Sequence, residues 1–268
     1  MMAGSSPLQL TEATGASNPV LTAKHVTDLN AAFLADPFLL HAGGKWYMFF
    51  EALEESSDRG VIALAASEDG RAWRYQQVVL AEEFHLSYPC VFESGGEYFM
   101  IPETLQPRAI RLYQAVSFPT RWRFAANLLE VEAADPTILR HDGTWWLFAC
   151  TRRNDQLSVY YADELVGPWR PHPGNPVVEN IHGARPGGRV VSDGGKLFRF
   201  GQDCSPRYGS NVRAFEILTL TRDAYREREC AGSPVMTPSG TGWNGSRMHH
   251  LDAHRLPDET WIACVDGC

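Results

Sequence analysis

The chain has no run approaching the roughly 18 to 20 apolar residues that a membrane span needs, so no membrane span is expected. Its first residues, MMAGSSPLQLTEATG, offer neither a basic stretch nor an apolar one. No secretory signal is therefore visible, and a cytoplasmic location is expected. Basic residues are in the minority, 24 Lys and Arg against 32 Asp and Glu for a net charge of −8. That balance excludes the basic footprint of a nucleic-acid binder. The six cysteines, Cys90, Cys150, Cys204, Cys230, Cys264 and Cys268, form no CxxC pair, which points to reduced thiols and not to a disulfide framework or a zinc site. GxSxG, P-loop, HExxH and GxGxxG signatures are all missing. Helical periodicity is nearly absent too.

What is present is a repeat. Ala35-Asp36-Pro37 leads through an apolar run and Gly43-Gly44 into Trp46-Tyr47-Met48-Phe49-Phe50. Ser87-Tyr88-Pro89 leads in the same way through Gly95-Gly96 into Tyr98-Phe99-Met100-Ile101, and Ala134-Asp135-Pro136 through Asp142-Gly143 into Trp145-Trp146-Leu147-Phe148. Ala184-Arg185-Pro186 opens a looser fourth copy, and His249-His250-Leu251 a fifth that returns through Trp261-Ile262-Ala263-Cys264. Asp36 and Trp46, Tyr88 and Tyr98, and Asp135 and Trp145 are each ten positions apart. A short β-prone run, a glycine turn and a second such run make a hairpin. Openers near 36, 88, 135, 185 and 250 recur at roughly the 50-residue period of a propeller blade. Trp73, Trp122 and Trp169 follow the first three openers in phase. The sequence therefore predicts an all-β fold, a single five-bladed β-propeller over residues 1–268. Pro-Val segments precede copies four and five at Pro176 and Pro234, and another stands near the beginning at Pro19. Residues 7–22 are thus expected to complete the last blade and close the ring, leaving no open edge.

The first strand of each propeller blade lines the central channel, and ligands commonly sit at one mouth of it. The openers Asp36, Tyr88, Asp135, Arg185 and His250 are expected to ring that mouth. The second strands return to the same face and bring Glu51, Glu103, Gln202 and Asp266 with them. An Asp before Pro at a strand start is also a common turn choice made for local hydrogen bonds. Several like charges gathered at one opening, however, raise one another's pKa, a cost that points to use. Successive residues of a strand face opposite ways, so only one of His249 and His250 is expected to look into the channel, while His250 and Asp252 share a face. No metal and no cofactor is expected. Trp243 and Arg247, near the last blade's start, have the chemistry to stack on a sugar ring and to grip an anion. Asp203 accompanies Gln202, and His85 and His182 add polar lining.

The segments NPVLTAKHVTDLNAAFLADPFL, FHLSYPCVF, YFMIPE, GARPGGR, LFRFGQDC and WNGSRMHHLD resemble the N-terminal domain of plant glucosamine inositolphosphorylceramide transferases and its bacterial relatives, over residues 18–267. More distantly, the architecture is similar to five-bladed glycosidases that cleave arabinans, xylans and fructans. The first resemblance implies a sugar or glycoconjugate ligand and a separate glycosyltransferase as partner. The second implies carboxylates at the first and a middle blade, matched by Asp36 and Asp135, and a general acid at a later opener, where Arg185 stands. Glu103 is the nearest substitute by register.

Glycoside cleavage needs one protonated and one ionised carboxyl group. The expected assignment is Asp36 as base, Glu103 as acid and Asp135 as the charge that tunes Glu103, with Glu51 and Asp266 as further candidates for the acid. Arg185 and His250 are expected to bind substrate. Two other readings stand beside this one: a non-catalytic sugar- or glycolipid-binding propeller, and an enzyme performing another reaction on a sugar-like metabolite.

Overall fold

The glycine pairs work as the hairpin reading requires. Gly43 and Gly44 have φ of 58° and 78°, Gly95 and Gly96 63° and 81°, and Gly194 and Gly195 56° and 76°. Two successive left-handed residues make the turn whose twist suits a two-residue hairpin. The computed structural model describes residues 1–268 and forms five antiparallel sheets arranged as the blades of a propeller.

Blade 1 runs outward from the axis through Ala31–Ala42, Lys45–Glu54, Arg59–Ser67 and Arg74–Leu80. Blade 2 comprises Ser87–Ser94, Glu97–Glu103, Ile110–Ser117 and Arg121–Leu129. Blade 3 comprises Ala134–His141, Thr144–Cys150 and Gln156–Ala162, edged by the short strands Arg170–Pro171 and Val178–Glu179. In blade 4 the inner strand is broken into Arg185–Pro186 and Val191–Asp193, followed by Lys196–Asp203, Asn211–Leu220 and Tyr225–Glu229. Blade 5 holds Leu251–Arg255 and Trp261–Val265 and takes its two outer strands from the other end of the chain.

Those two strands are Met2–Ser6 and Gln9–Glu12, with Met2 opposite Ala263 and Gly4 opposite Trp261. The ring is closed by the N-terminal segment, but by residues 2–12 and not by 7–22. The Pro-Val repeat pointed to a different job. Asn175 turns its side-chain amide onto the N–H and C=O of Val159, 2.8 Å each, and so edges the third strand of blade 3. Asn18 does the same to Met1, beside the third strand of blade 5. In these two copies the residue before the proline is an amide that finishes a blade's third strand; in the copy at Pro234 it is Ser233, whose hydroxyl accepts the Ala214 N–H at 3.3 Å.

Blade centres are covered on both faces, so their middle strands carry unbroken apolar runs such as Met48-Phe49-Phe50, all buried. The phased tryptophans close outer loops: the indole N–H groups of Trp73, Trp122 and Trp169 donate to the carbonyls of Gly70, Pro119 and Leu165.

Within the ring, polar groups tie the blades together. Arg189 of blade 4 donates to Asp252 of blade 5 at 2.9 Å and to the carbonyls of Leu39 at 3.2 Å and Val91 at 3.0 Å, in blades 1 and 2. Asp252 also accepts from the N–H of Leu39 and lies 2.9 Å from the His254 ring. Asp252 is thus an axial tie and not a lining residue of the mouth.

Candidate active site

The three openers Asp36, Tyr88 and Asp135 share one backbone state, with φ of 51°, 46° and 48°. At each of them the pairing with the second strand shifts register, between Ala35 and Phe38, Ser87 and Cys90, and Ala134 and Thr137. A bulge of this kind re-aims a side chain, and it sets three blades' openers by the same device.

Tyr88 is fully buried. Its hydroxyl accepts from the N–H of Gly188 at 2.8 Å and lies 2.8 Å from the Thr137 hydroxyl. With Phe38 and His250 it forms an edge-to-face trio whose ring centroids lie 4.7 to 5.3 Å apart. These three are packed together inside the ring, so Tyr88 does not line the opening.

The open space is a polar cavity of about 440 Å³ whose walls include Asp36, Glu51, His85, Arg185, His249 and Asp266. Glu51 is 5% exposed. His85 sits over Gly60, whose N–H donates to Nδ1, so the proton of the neutral ring is on Nε2, 3.2 Å from Glu51 Oε1. Burial pushes the Glu51 carboxyl up by more than His85 lowers it. The same contact raises His85 against its own burial.

Arg185 changes the expected assignment. Its Nε lies 2.7 Å from Asp135 Oδ2, while Nη2 lies 3.0 Å from Asp135 Oδ1 and 3.1 Å from Glu103 Oε2. Glu103 Oε2 also accepts the N–H of Asp135 at 3.0 Å, and Gln202 Nε2 donates to Asp135 Oδ2 at 2.6 Å. Of this group only Arg185 reaches the cavity wall. Glu103, Asp135 and Gln202 lie behind it: both Asp135 oxygens and Glu103 Oε2 have donors, while Gln202 Oε1 is buried without a partner. Burial opposes the charge on Arg185, but Asp135 and Glu103 outweigh it and hold the guanidinium protonated. Glu103 is as little exposed as Glu51, 5% each, but its Oε2 is taken up by Arg185 and the Asp135 N–H, and this pairing sets it apart from the expected acid role.

Both histidines meet Asp36, but only His249 lines the cavity; His250 is wholly buried in the aromatic trio, so the expectation that it binds substrate is not met. His249 Nε2 is 3.4 Å and His250 Nδ1 3.8 Å from Asp36 Oδ1. The strand begins only at Leu251, so the alternation that was to separate the two rings does not apply to them. Asp266 gathers this corner: it accepts the N–H groups of Asp36 at 3.0 Å, His249 at 3.3 Å and His250 at 3.1 Å, and lies 3.1 Å from His249 Nδ1. Burial works against its charge, but His249 and these contacts hold its carboxyl far below the usual range. Asp266 is unsuited to the acid role considered for it.

The remaining expected residues lie apart. Asp203 is tied to Arg213 at 2.8 Å and His182 at 3.0 Å, away from the cavity wall. Arg247 lines the cavity. Trp243 lines an adjoining apolar cavity of about 450 Å³, which shares Phe33, Leu34, Ala35, Asp266 and Gly267 with the polar one. Tyr208 was not anticipated. It lies 5.0 Å under the Arg185 guanidinium and 5.3 Å from the His249 ring, an aromatic wall joining the two sides. Its loop, Cys204 to Gly209, carries no repeat signal.

Fold and site together define a five-bladed propeller with a carboxylate-, arginine- and histidine-lined pocket at the ring opening. A family model described as glucosamine inositolphosphorylceramide transferase 1, N-terminal, matches residues 7–268, and the chain belongs to this family. It is 37% identical over 291 residues to glucosamine inositolphosphorylceramide transferase 1 of Oryza sativa subsp. japonica, covering 100% of this chain and 39% of that protein. The protein of the same name from Arabidopsis thaliana is 38% identical over 263 residues, covering 94% and 34%. The chain thus spans little more than a third of the length of these relatives. Among solved structures, the catalytic domain of the Coprinopsis cinerea GH62 α-L-arabinofuranosidase aligns with TM-score 0.65 at 11% identity, covering 83% of this chain and 77% of that one. A family 117 glycoside hydrolase of Zobellia galactanivorans aligns with TM-score 0.60 at 14% identity, covering 89% and 88%. These two likenesses are likenesses of fold.

Proposed function

We propose that the polar cavity binds a sugar or glycoconjugate and acts on its glycosidic linkage, with Glu51 as the general acid and Asp36 as the opposing carboxylate. The observation that carries this reading is the contrast between two carboxyl groups in one pocket. Glu51 is buried with its pKa raised by that burial, which suits it to deliver a proton to a leaving oxygen. Asp36 Oδ1 lies 3.4 Å from His249 Nε2 and 3.8 Å from His250 Nδ1, on the same pocket. Glycosidic cleavage draws on two carboxyl groups flanking one linkage, and a buried carboxyl with a raised pKa is the usual acid of the pair. His85, donating to Glu51, would steady the carboxylate once the proton has left. Arg185, backed by Asp135 and Glu103, would hold a substrate hydroxyl or anionic group, and Tyr208 a ring face. The relatives' name joins a sugar to a lipid, and the adjoining apolar cavity has room for an apolar aglycone. The propeller would work with a separate glycosyltransferase unit.

The test is a hydrolysis screen over aryl glycosides, amino sugars included, run beside calorimetry with the corresponding free sugars. Turnover that falls about 10²- to 10⁴-fold in Asp36→Asn and Glu51→Gln, and much less in Glu103→Gln, supports the assignment. Full activity in either of the first two removes it. A second reading, sugar binding without catalysis, is favoured by Arg185 lying over two of the five mouth carboxylates. Binding with no turnover on any glycoside would select it.

A further inference from the structure

His249 and His250 are neighbours in the chain and both lie against Asp36, yet their surroundings make them opposites. His249 Nδ1 lies 3.1 Å from Asp266 Oδ1 and its Nε2 3.4 Å from Asp36 Oδ1, so the ring stands between two carboxylates. His250 is wholly buried and has no hydrogen-bond partner at either ring nitrogen. It packs edge to face on Phe38 and Tyr88, with centroids 4.7 and 5.3 Å away. Its Nδ1 is 3.8 Å from Asp36 Oδ1, beyond hydrogen-bond reach. Burial without a partner disfavours a charged ring, and flanking carboxylates favour one. Burial opposes charge on both rings, but Asp266 and Asp36 raise His249 well above the usual histidine range, whereas His250 stays below it.

The His249 ring is also fixed in place. Asp266 Oδ2 accepts the N–H of Asp36, and Oδ1 those of His249 and His250, so the carboxylate facing Nδ1 is tethered from both blades. From blade 4, Gly209 closes on the same residue: a Cβ there would lie 2.9 Å from the His249 Cβ. Tyr208 covers the ring at 5.3 Å. Cys204 and Tyr208 of this loop also face it, but burial pushes both groups up and leaves them uncharged near neutrality. Arg185 stands beyond, 5.0 Å over the Tyr208 ring. Because the Asp266 carboxyl is held far below the usual range, Nδ1 keeps its proton towards it. The proton that comes and goes is the one on Nε2, beside Asp36.

We propose that His249 is the positioning residue of the pocket: Asp266 fixes its ring and one proton, and the proton on Nε2 steadies Asp36 for the substrate. Asp36 Oδ1 is buried and accepts no hydrogen bond, and His249 is the nearer of its two histidines and the one able to carry charge. A protonated Nε2 draws Oδ1 to itself and leaves the second oxygen to the cavity, which both residues line. Once Nε2 loses its proton, its lone pair faces the carboxylate and the attraction becomes repulsion. The pocket would then fail in alkali through His249, while neutral His250 takes no part. The role given to Asp36 rests on the glycosidic reading, but the protonation of His249 and its cause do not.

The whole chain, labelled with heavy nitrogen, is titrated by NMR on the histidine ring nitrogens, with His249 assigned by the signals lost in His249→Gln. His249 is expected to carry two ring protons at neutrality, to titrate about 1–3 units above the ordinary value of about 6.5, and to release the Nε2 proton. His250 is expected to hold a single ring proton throughout. Asp266→Asn should bring the His249 midpoint down by about one unit or more. Asp36→Asn should lower it too, and answers if the first variant fails to fold, because asparagine tolerates the left-handed backbone. A singly protonated His249 at neutrality, release from Nδ1, or a midpoint unmoved in the folded variants overturns the proposal. Where a glycoside is turned over, the alkaline limb of kcat should follow the His249 midpoint and move down with it in Asp266→Asn, with KM nearly unchanged. A limb that stays put overturns the positioning role. The expected titration with no turnover on any glycoside removes the hydrolytic reading alone.

Discussion

Arg185 grips Asp135 with two prongs, Nε to Oδ2 at 2.7 Å and Nη2 to Oδ1 at 3.0 Å, and the same Nη2 reaches Glu103 at 3.1 Å. A guanidinium stands where an acid was expected, and it neutralises two carboxylates from neighbouring blades. Arg185→Met would leave both buried without their counter-charge. It should lower the unfolding free energy by about 3–5 kcal/mol, measured by urea denaturation. Arg185→Lys should recover only part of this, because an ammonium cannot make the fork. A loss under about 1 kcal/mol in the methionine variant would show that the ion pair is not what holds blades 2, 3 and 4 together at the mouth.

Glu51 predicts a pH-dependent stability. Burial raises its carboxyl above the ordinary 4.5, so the folded state binds that proton more tightly than the unfolded state. This contribution is complete below about pH 4.5 and fades as the pH climbs through the raised folded value. Glu51→Gln imitates the protonated form at every pH. Its melting temperature should match the parent in acid and rise above it towards neutrality. His85 offsets part of the effect by pairing with the charged carboxylate, so the gap should widen in a His85→Ala background. A gap that shrinks with rising pH would contradict the sign.

Removing residues 1–12 deletes both outer strands of blade 5 and bares the edge of Trp261–Val265. An exposed apolar strand edge is a template for aggregation. The truncated chain should be insoluble, as judged by the supernatant fraction after lysis. Soluble protein with an unchanged circular dichroism spectrum would mean that the ring closes without those strands.

Two glycines separate crowding from backbone preference. A Cβ on Gly188 would lie 1.8 Å from the carbonyl oxygen of Leu251 at φ +134°, whereas one on Gly194 would meet nothing within 4 Å at φ +56°. Gly188→Ala should abolish folding or cost more than about 4 kcal/mol. Gly194→Ala should cost about 1–2 kcal/mol, the penalty of a left-handed alanine. Equal costs by thermal denaturation would refute the distinction.

The architecture was readable because a propeller writes itself repeatedly: five openers, ten-residue hairpins and phased tryptophans are local patterns that long-range contacts do not alter. Asp36, Glu51, Arg185 and Asp266 could be brought to one opening on register alone, whereas register chose His250 as the opener and the cavity is lined by His249. Depth could not be read the same way. Register places Glu103 and Asp135 at the mouth, but only the direction of the long Arg185 side chain, set by partners 50 and 82 residues away, shows them to be paired. His249 and His250 were separated on paper by an alternation that belongs to strands, and the strand starts one residue too late. Tyr208 enters from a loop whose path is set by contacts with His249 and Arg185, and nothing in its own segment announces it. Asp203 and Asp252 looked like lining because they sit beside lining residues. Their partners, Arg213 and Arg189, lie elsewhere in the chain and draw them into structural ties.

The left-handed backbone at Asp36, Tyr88 and Asp135 has a practical bearing on any attempt to dissect the pocket. Alanine is a poor silent replacement there, since losing the functional group and losing a residue at ease with that conformation would arrive as one combined effect. Asparagine tolerates the same torsion angles while exchanging a charge for an amide. In blades 1 and 3 it is therefore the substitution that keeps chemistry and scaffold separable, and an alanine scan across these openers would overstate what the carboxylates do.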